Sequence, residues 1–316
     1  MKVLKLGWLA GLALVVAAFA AACGDSEQPA ARPEATPTAA VSAPSFPLTV
    51  AQSDGETLTI ESPPQRIVSL SAHATNILCA IGAGNQLVAV EQYANCPEGS
   101  SEKPQLDAYQ PSVEAIASYD PDLVYIFSDI NGVVGALRNL GIPVLYLELP
   151  ESVDGVLEQI TLFGQVTGHT EEAGALVRDM RERLDAIEEK LSDVDAGPRI
   201  FHELDPTYYT VAPGSFIGDM YRILKAQNIA EGATEPYPQL SAEVIVERDP
   251  EVIVLADEPS GVTADSVKER PGWSEISAVK NGRICVVDPS LVSQPGPNVI
   301  DAVQTLAACL YPDRFP

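Results

Sequence analysis

The sequence has 316 residues, of which 46% are hydrophobic and 20% charged, which excludes a wholly disordered chain and leaves room for two domains. The formal net charge is −25. Because nucleic-acid binding needs clustered Lys and Arg, this charge argues against a nucleic-acid partner.

The first 22 residues have the pattern of a signal peptide, with two lysines before an apolar run, Leu6–Ala22. The small residues before Cys23 resemble a bacterial lipoprotein cleavage site, which would make Cys23 the lipidated first residue of the mature chain. The alternative is an ordinary secretory signal cleaved at the Ala cluster. Residues 23–45 are rich in Ala, Pro, Thr, Ser and Glu and are predicted to form a disordered tether. The folded part is therefore expected outside the cytoplasm, anchored to the membrane through lipid.

Residues 46–167 are predicted to form an N-terminal α/β lobe. Two alternating runs flank Ser53-Asp-Gly, a hairpin pattern over residues 46–60. Strands are then predicted at 66–70, 87–90, 123–127 and 144–147, and helices at 76–81 and 131–140. Strands alternating with helices indicate a mostly parallel sheet with helices on both faces.

One stretch of this lobe, residues 109–126, recurs as residues 238–255. The matched pairs are Ser112 and Ser241, Glu114 and Glu243, Asp120 and Asp249, and Pro121 and Pro250. Each copy is predicted to form a capped short helix, an Asp-Pro stop and a buried strand. A unit repeated once at this distance predicts two similar α/β lobes.

Residues 152–194 have long helical periodicity, interrupted at Gly168-His-Thr170. Gly168 is predicted to end the first helix and Thr170 to cap the second. The segment 168–196 is therefore expected to be a stiff helix connecting the lobes.

Residues 197–316 are predicted to form the C-terminal α/β lobe. Strands are predicted at 199–203, 208–211, 252–255 and 283–287, and helices at 215–226, 273–279 and 298–310. The cysteines after Cys23 allow disulfides Cys79–Cys96 and Cys285–Cys309, or buried free thiols.

Several segments, in this order, resemble one family: Pro64-Gln-Arg-Ile-Val-Ser-Leu-Ser, Ala74-Thr-Asn-Ile-Leu, Asp120-Pro-Asp-Leu-Val, Leu140-Gly-Ile-Pro-Val, Pro213-Gly-Ser-Phe-Ile, Asp249-Pro-Glu-Val-Ile-Val and Pro295-Gly-Pro. The family is that of the helical-backbone (class III) solute-binding proteins of ABC importers, which include cobalamin, siderophore, haem and metal receptors. The resemblance covers residues 46–315. It implies two Rossmann-like lobes joined by a single long helix, with the ligand in the cleft between them. It also implies a monomer that hands a small-molecule metal chelate to an ABC permease dimer with its ATPase.

The predicted ligand-binding residues follow strand ends that face this cleft: His73, Tyr93, Tyr109, Glu203, Tyr208, Tyr237 and Asp257. Tyrosines facing one cleft suit a large planar ligand, although half-buried packing is the alternative reading. His73 could bind iron or cobalt or be structural, and the three histidines do not cluster as a bare-metal site would. Glu203 replaces an aromatic residue of cobalamin receptors, and Asn298 replaces an Arg that meets anionic siderophores.

Glu114 and Glu243 lie just inside the two repeated helix starts. An acid there favours the helix dipole. The resemblance implies a second role, in which each lobe offers one glutamate to arginines of the permease.

No hydrolase elbow, phosphate loop or HExxH motif occurs in the sequence, so neither an enzyme nor a cofactor is predicted. A surface-anchored sensor or accessory protein that reuses the fold is the competing reading. The ligand stays open between a corrinoid, a ferric siderophore and haem.

Overall fold

A computed structural model describes residues 45–94, 96 and 102–316 of the chain. The predicted signal peptide, the lipidation site Cys23 and nearly all of the predicted tether lie outside these residues. Within the described ranges, no helix combines the length and the apolar character needed to cross a membrane.

The fold begins with the predicted hairpin, β1 (Leu48–Ala51) paired antiparallel with β2 (Thr57–Ile60). The turn between them closes through Gln52, whose backbone N–H donates to the Glu56 carbonyl at 2.9 Å. Gly55 sits at φ +82°, which glycine adopts at no steric cost.

The first lobe is a five-stranded parallel sheet with the order β5-β4-β3-β6-β7. Its elements are β3 (Ile67–Leu70), α1 (Ala72–Ala80), β4 (Leu87–Glu91), β5 (Gln105–Leu106), α2 (Val113–Ala117), β6 (Leu123–Ile126), α3 (Val133–Asn139) and β7 (Val144–Tyr146). The helix predicted from residue 76 begins earlier, at Ala72, because the Ser71 hydroxyl caps it by accepting from the Ala74 N–H. The start of α1 therefore lies at the carboxyl end of β3, the central strand.

Two helices, α4 (Val153–Thr167) and α5 (Thr170–Lys190), separate the sheets. Gly168 ends α4 at φ +84°, as predicted, but the cap of α5 is His169 rather than Thr170. The Thr170 hydroxyl instead donates back to the Gly164 carbonyl at 3.4 Å, which occupies it within the break between the helices.

The long helix α5 spans roughly 31 Å at 1.5 Å per residue and packs along α4. A side chain at Gly164 would come within 2.4 Å of the Ala173 Cβ, so glycine permits the close approach of the two helices. Both helices contribute to one hydrophobic core that also includes buried residues of both lobes. This shared core joins the two lobes through the pair of helices.

The second lobe is a four-stranded parallel sheet with the order β11-β10-β8-β9. Its elements are β8 (Arg199–Glu203), α6 (Phe216–Ile223), β9 (Gln227–Asn228), α7 (Ala242–Arg248), β10 (Val252–Leu255), α8 (Ala264–Lys268), α9 (Ser277–Lys280), β11 (Ile284–Val286), α10 (Pro289–Val292) and α11 (Val299–Leu310). The extended piece predicted at 208–211 is not a strand. Tyr208 has φ +71°, and Tyr209 makes only an isolated bridge to Gln239. The α/β fold with two Rossmann-like lobes joined by one long helix is thus confirmed.

The repeated stretch has the same structure in both copies. Ser112 and Ser241 cap α2 and α7 by accepting from the backbone N–H three residues on. Asp120 and Asp249 both adopt positive φ, at +50° and +45°. An arginine at the start of each lobe's first strand closes the turn: Arg66 Nε donates to the Asp120 carbonyl at 2.8 Å, and Arg199 Nε to the Asp249 carbonyl at 2.9 Å. The Asp-Pro pair therefore marks a turn, closed by an arginine hydrogen bond, that positions each helix against its sheet.

Both cysteine pairs allowed by the sequence are disulfides, Cys79–Cys96 and Cys285–Cys309. The first joins the end of α1 to the chain that follows β4. The second joins the edge strand β11 to α11.

Candidate functional site

The carboxyl ends of the first-lobe strands line a cavity of about 280 Å³, to which the loop before α11 of the second lobe also contributes. Its lining residues come from the ends of the five first-lobe strands and from that loop: Ser71, Ala72, His73, Glu91, Tyr93, Ala108, Tyr109, Phe127, Leu149, Ser293, Gln294 and Pro295. Ligand sites in α/β proteins lie at this edge of the sheet.

Two of the predicted tyrosines share this cavity. Tyr93 and Tyr109 are 65% and 61% exposed, and Tyr109 meets the Phe127 ring edge-on, with ring centroids 6.1 Å apart. Carboxylates hold their backbones, since the Tyr93 N–H donates to Glu91 and the Tyr109 N–H to Asp107, each at 2.8 Å. Large, exposed and locally anchored rings are suited to stacking on a flat ligand.

His73 also lines the cavity, but both of its ring nitrogens are engaged. Nε2 lies 2.6 Å from the Gln159 side-chain oxygen of α4, and Nδ1 contacts the Pro295 carbonyl of the second lobe. Burial lowers the pKa of the imidazole to about 4, so the ring is neutral at physiological pH. A neutral imidazole has one N–H and can donate to only one of these two oxygens. Both ring nitrogens nevertheless lie against protein oxygens, one from α4 and one from the second lobe.

Glu91 is a cavity residue that the sequence did not single out. It is 3% exposed, Oε2 accepts from the Tyr93 N–H, and Oε1 has no hydrogen-bond partner. Burial, and secondarily the charge of Asp107, raises the pKa of its carboxyl. The sequence feature that could have pointed to Glu91 is its position as an acidic residue directly after the apolar run Leu87–Val90.

A second cluster lies at the carboxyl edge of the second-lobe sheet. Glu203, at the end of β8, is fully buried and accepts two hydrogen bonds of 2.6 Å from Arg270. The guanidinium lies 5.2 Å from the Tyr208 ring centroid and 4.5 Å from that of Trp273. Glu203 is thus held by Arg270, whose position beside two aromatic rings no sequence pattern indicated.

Asp257 lies beside this ion pair, two residues after the end of β10. Its side chain is buried and neither carboxylate oxygen has a hydrogen-bond donor. Burial, followed by the adjacent Glu203 carboxylate, raises the pKa of Asp257 to about 7. The carboxyl of Asp257 is therefore protonated below neutral pH.

The raised pKa of Asp257 predicts a stability that falls as pH rises. Between pH 4 and pH 7 the folded chain keeps a proton that the unfolded chain releases, so the free energy of unfolding declines over this interval. The free energy of unfolding of Asp257→Asn minus that of wild type, measured in urea, should therefore be at least about 1 kcal/mol larger at pH 7.5 than at pH 5. The exposed Asp265→Asn is the control. A constant difference between Asp257→Asn and wild type at the two pH values would contradict the assignment.

Tyr237 lies outside the cavity, on the loop before α7. Backbone hydrogen bonds pin this loop, since the Thr210 and Ala212 N–H groups donate to the Pro238 and Pro236 carbonyls, each at 2.9 Å. The ring is 45% exposed, and burial and the Glu151 carboxylate of the first lobe raise its pKa. The structure thus brings His73, Tyr93 and Tyr109 together, groups Glu203, Tyr208 and Asp257 separately, and leaves Tyr237 apart from both.

The two repeated glutamates are exposed at the starts of α2 and α7. The Ser112 hydroxyl donates to Glu114 at 3.2 Å. Hydrogen bonds from its own backbone N–H and from the Ser241 hydroxyl lower the pKa of Glu243, so this side chain is charged. Among the described residues no group of three or more His, Cys, Asp or Glu is placed to hold a bare metal ion.

Comparison with known proteins agrees with this architecture. The family model described as "Periplasmic binding protein" matches residues 67–291. The chain is 34% identical over 278 residues to an uncharacterised ABC transporter substrate-binding lipoprotein, YvrC, of Bacillus subtilis strain 168, covering 85% of this chain and 87% of that protein. It is 32% identical to a cobalamin-binding protein of Halobacterium salinarum, covering 84% and 75%.

A solved structure of a possible iron-binding (periplasmic solute-binding) protein from Staphylococcus epidermidis matches with a TM-score of 0.70 and 27% identity, covering 79% of this chain and all of that one. The family match spans both lobes, and the likeness to this solved structure covers most of the chain. The chain therefore belongs to the periplasmic binding proteins, the substrate-binding proteins of ABC transporters.

Proposed function

We propose that this chain is a lipid-anchored extracytoplasmic receptor that captures a cobalt or iron chelate and delivers it to an ABC permease. The observation that carries the proposal is the cavity at the first-lobe strand ends, in which Tyr93, Tyr109 and Phe127 present aromatic surface. A ligand that brings its metal already chelated needs such surface rather than metal-ligating side chains.

Cobalamin is the first candidate ligand, because a relative named for cobalamin binding is 32% identical over both lobes. An iron chelate is the second, because the structure from Staphylococcus epidermidis is described as that of a possible iron-binding protein. The receptor would act as a monomer, with its anchor at Cys23 and its tether outside the described residues. Titration of the protein with cyanocobalamin, haemin and ferric siderophores, followed by tyrosine and tryptophan fluorescence, would identify the ligand class. Absence of binding to every one of these chelates would refute the proposal.

Truncating the cavity tyrosines should weaken binding without loss of stability. Tyr93→Ala and Tyr109→Ala each remove a ring that is mostly exposed in the free protein, so we expect an increase in Kd of about tenfold or more and little change in unfolding midpoint. Tyr209→Ala, at a ring 42% exposed and outside the cavity, is the matched control. Equal affinities for the three variants would exclude this cavity as the ligand site.

A further inference from the structure

Glu91 is the cavity residue whose hydrogen bonding is incomplete. Of its two carboxylate oxygens, Oε2 already serves the fold by accepting from the Tyr93 N–H at 2.8 Å. Oε1 is enclosed and has no partner. A buried acceptor left without a donor is unfavourable, and this oxygen belongs to a residue that lines the proposed ligand cavity.

The electrostatic surroundings of Glu91 are also unfavourable to a negatively charged ligand group. Among the residues that the structure describes, the lining of the cavity includes no Lys or Arg, and its histidine is neutral because burial lowers the pKa of His73 to about 4. The charge of Asp107, another carboxylate, raises the pKa of Glu91 further. A ligand carboxylate placed here would meet like charge with no cation to offset it.

We propose that Glu91 is the specificity-determining residue of the cavity, and that Oε1 accepts a hydrogen bond from an uncharged N–H donor, such as a primary amide, on the rim of the chelate. The receptor thereby selects chelates that carry amide donors and no negative charge at this position. This inference rests on the proposed function, since it assigns a ligand chemistry to the same site.

The test uses Glu91→Gln, which keeps an oxygen for the Tyr93 N–H and replaces the unpartnered oxygen by an amide donor. The probes are cyanocobalamin, whose corrin rim carries primary amides, and its separated monocarboxylates, in each of which one rim amide is hydrolysed to an acid. Affinities are measured by fluorescence titration of the full chain. Glu102→Gln, at an exposed glutamate between β4 and β5, is the matched control.

Wild type and Glu102→Gln should bind cyanocobalamin at least about tenfold more tightly than one of the monocarboxylates. In Glu91→Gln this preference should shrink or reverse for that same isomer, because the new amide can donate to the acid. A role of Glu91 in holding the Tyr93 turn alone would leave the ratio unchanged.

Two negative results are distinguishable. Binding of cyanocobalamin with identical amide-to-acid ratios in wild type and Glu91→Gln overturns the inference and leaves the proposed function intact. If cyanocobalamin does not bind, the same comparison is made with an uncharged ferric trihydroxamate and an anionic ferric tricatecholate. Preference for the tricatecholate overturns the inference, and failure of every chelate to bind overturns the function itself.

Discussion

Reversing the charge of both repeated glutamates, in Glu114→Lys with Glu243→Lys, is expected to abolish chelate uptake while ligand affinity stays within about twofold. Both side chains are exposed at helix starts on the two lobes, outside the ligand cavity. Charges at the rim of an interface chiefly steer and orient docking. Under our prediction that these glutamates meet permease arginines, the two reversals would turn attraction into repulsion. The measurement is uptake of radiolabelled cobalamin by cells that carry the transporter, beside a binding titration of the purified variant.

The control must change the net charge equally at another surface. Glu182→Lys with Glu189→Lys places the same reversals on exposed positions of α5. Normal uptake in the docking variant, or an equal loss in the α5 variant, would remove Glu114 and Glu243 from the permease interface. Weakened ligand binding in the docking variant would assign them to the ligand instead.

Replacing Arg270 by Met is expected to destabilise the second lobe by about 3–5 kcal/mol, because the substitution leaves the buried Glu203 carboxylate without its counter-ion. Asp257 adds to the effect, since a second buried carboxyl lies beside the abandoned charge. A loss of this size is a large fraction of the stability of a typical domain. Urea unfolding measured at pH 7.5 gives the difference directly.

Two further variants separate the ion pair from simple loss of packing. Arg270→Met with Glu203→Gln should recover most of the stability, since neither buried charge then remains unpaired. Arg181→Met removes an arginine from an exposed pair with Asp154 and should cost less than about 1 kcal/mol. If the double variant is no more stable than Arg270→Met, the guanidinium acts through its packing against Tyr208 and Trp273.

Local patterns in the sequence predicted much of the fold. Ser112 and Ser241 were recognisable as caps because capping depends on residues three positions apart, and β8 and β10 have the predicted bounds, 199–203 and 252–255. The prediction that the chain is not an enzyme is confirmed by its membership of a family of binding proteins. The helix predicted at 273–279 is instead a 3₁₀ turn, Trp273–Glu275, followed by α9, since Ile276 takes an extended conformation between them.

The candidate site was harder to predict because its contacts join distant parts of the chain. His73 meets Pro295 across 222 residues, and Glu203 meets Arg270 across 67, so neither partner follows from local periodicity. The sequence does not identify Glu91 as a site residue, because an acidic residue at a strand end does not indicate whether both carboxylate oxygens will accept hydrogen bonds. That distinction emerges only from the packing around the Tyr93 turn.

The disulfide Cys79–Cys96 has a consequence for how the receptor meets its ligand. It encloses β4 and the turn carrying Glu91 and Tyr93 in a covalent ring with a sequence separation of 17. A turn constrained by a disulfide loses little conformational entropy when a ligand binds to it. A larger part of the interaction free energy then contributes to affinity. Reduction of the bond would remove no ligand contact, yet it would loosen the turn. If the proposed cavity binds the ligand, its affinity would therefore fall when the compartment becomes reducing enough to open this disulfide.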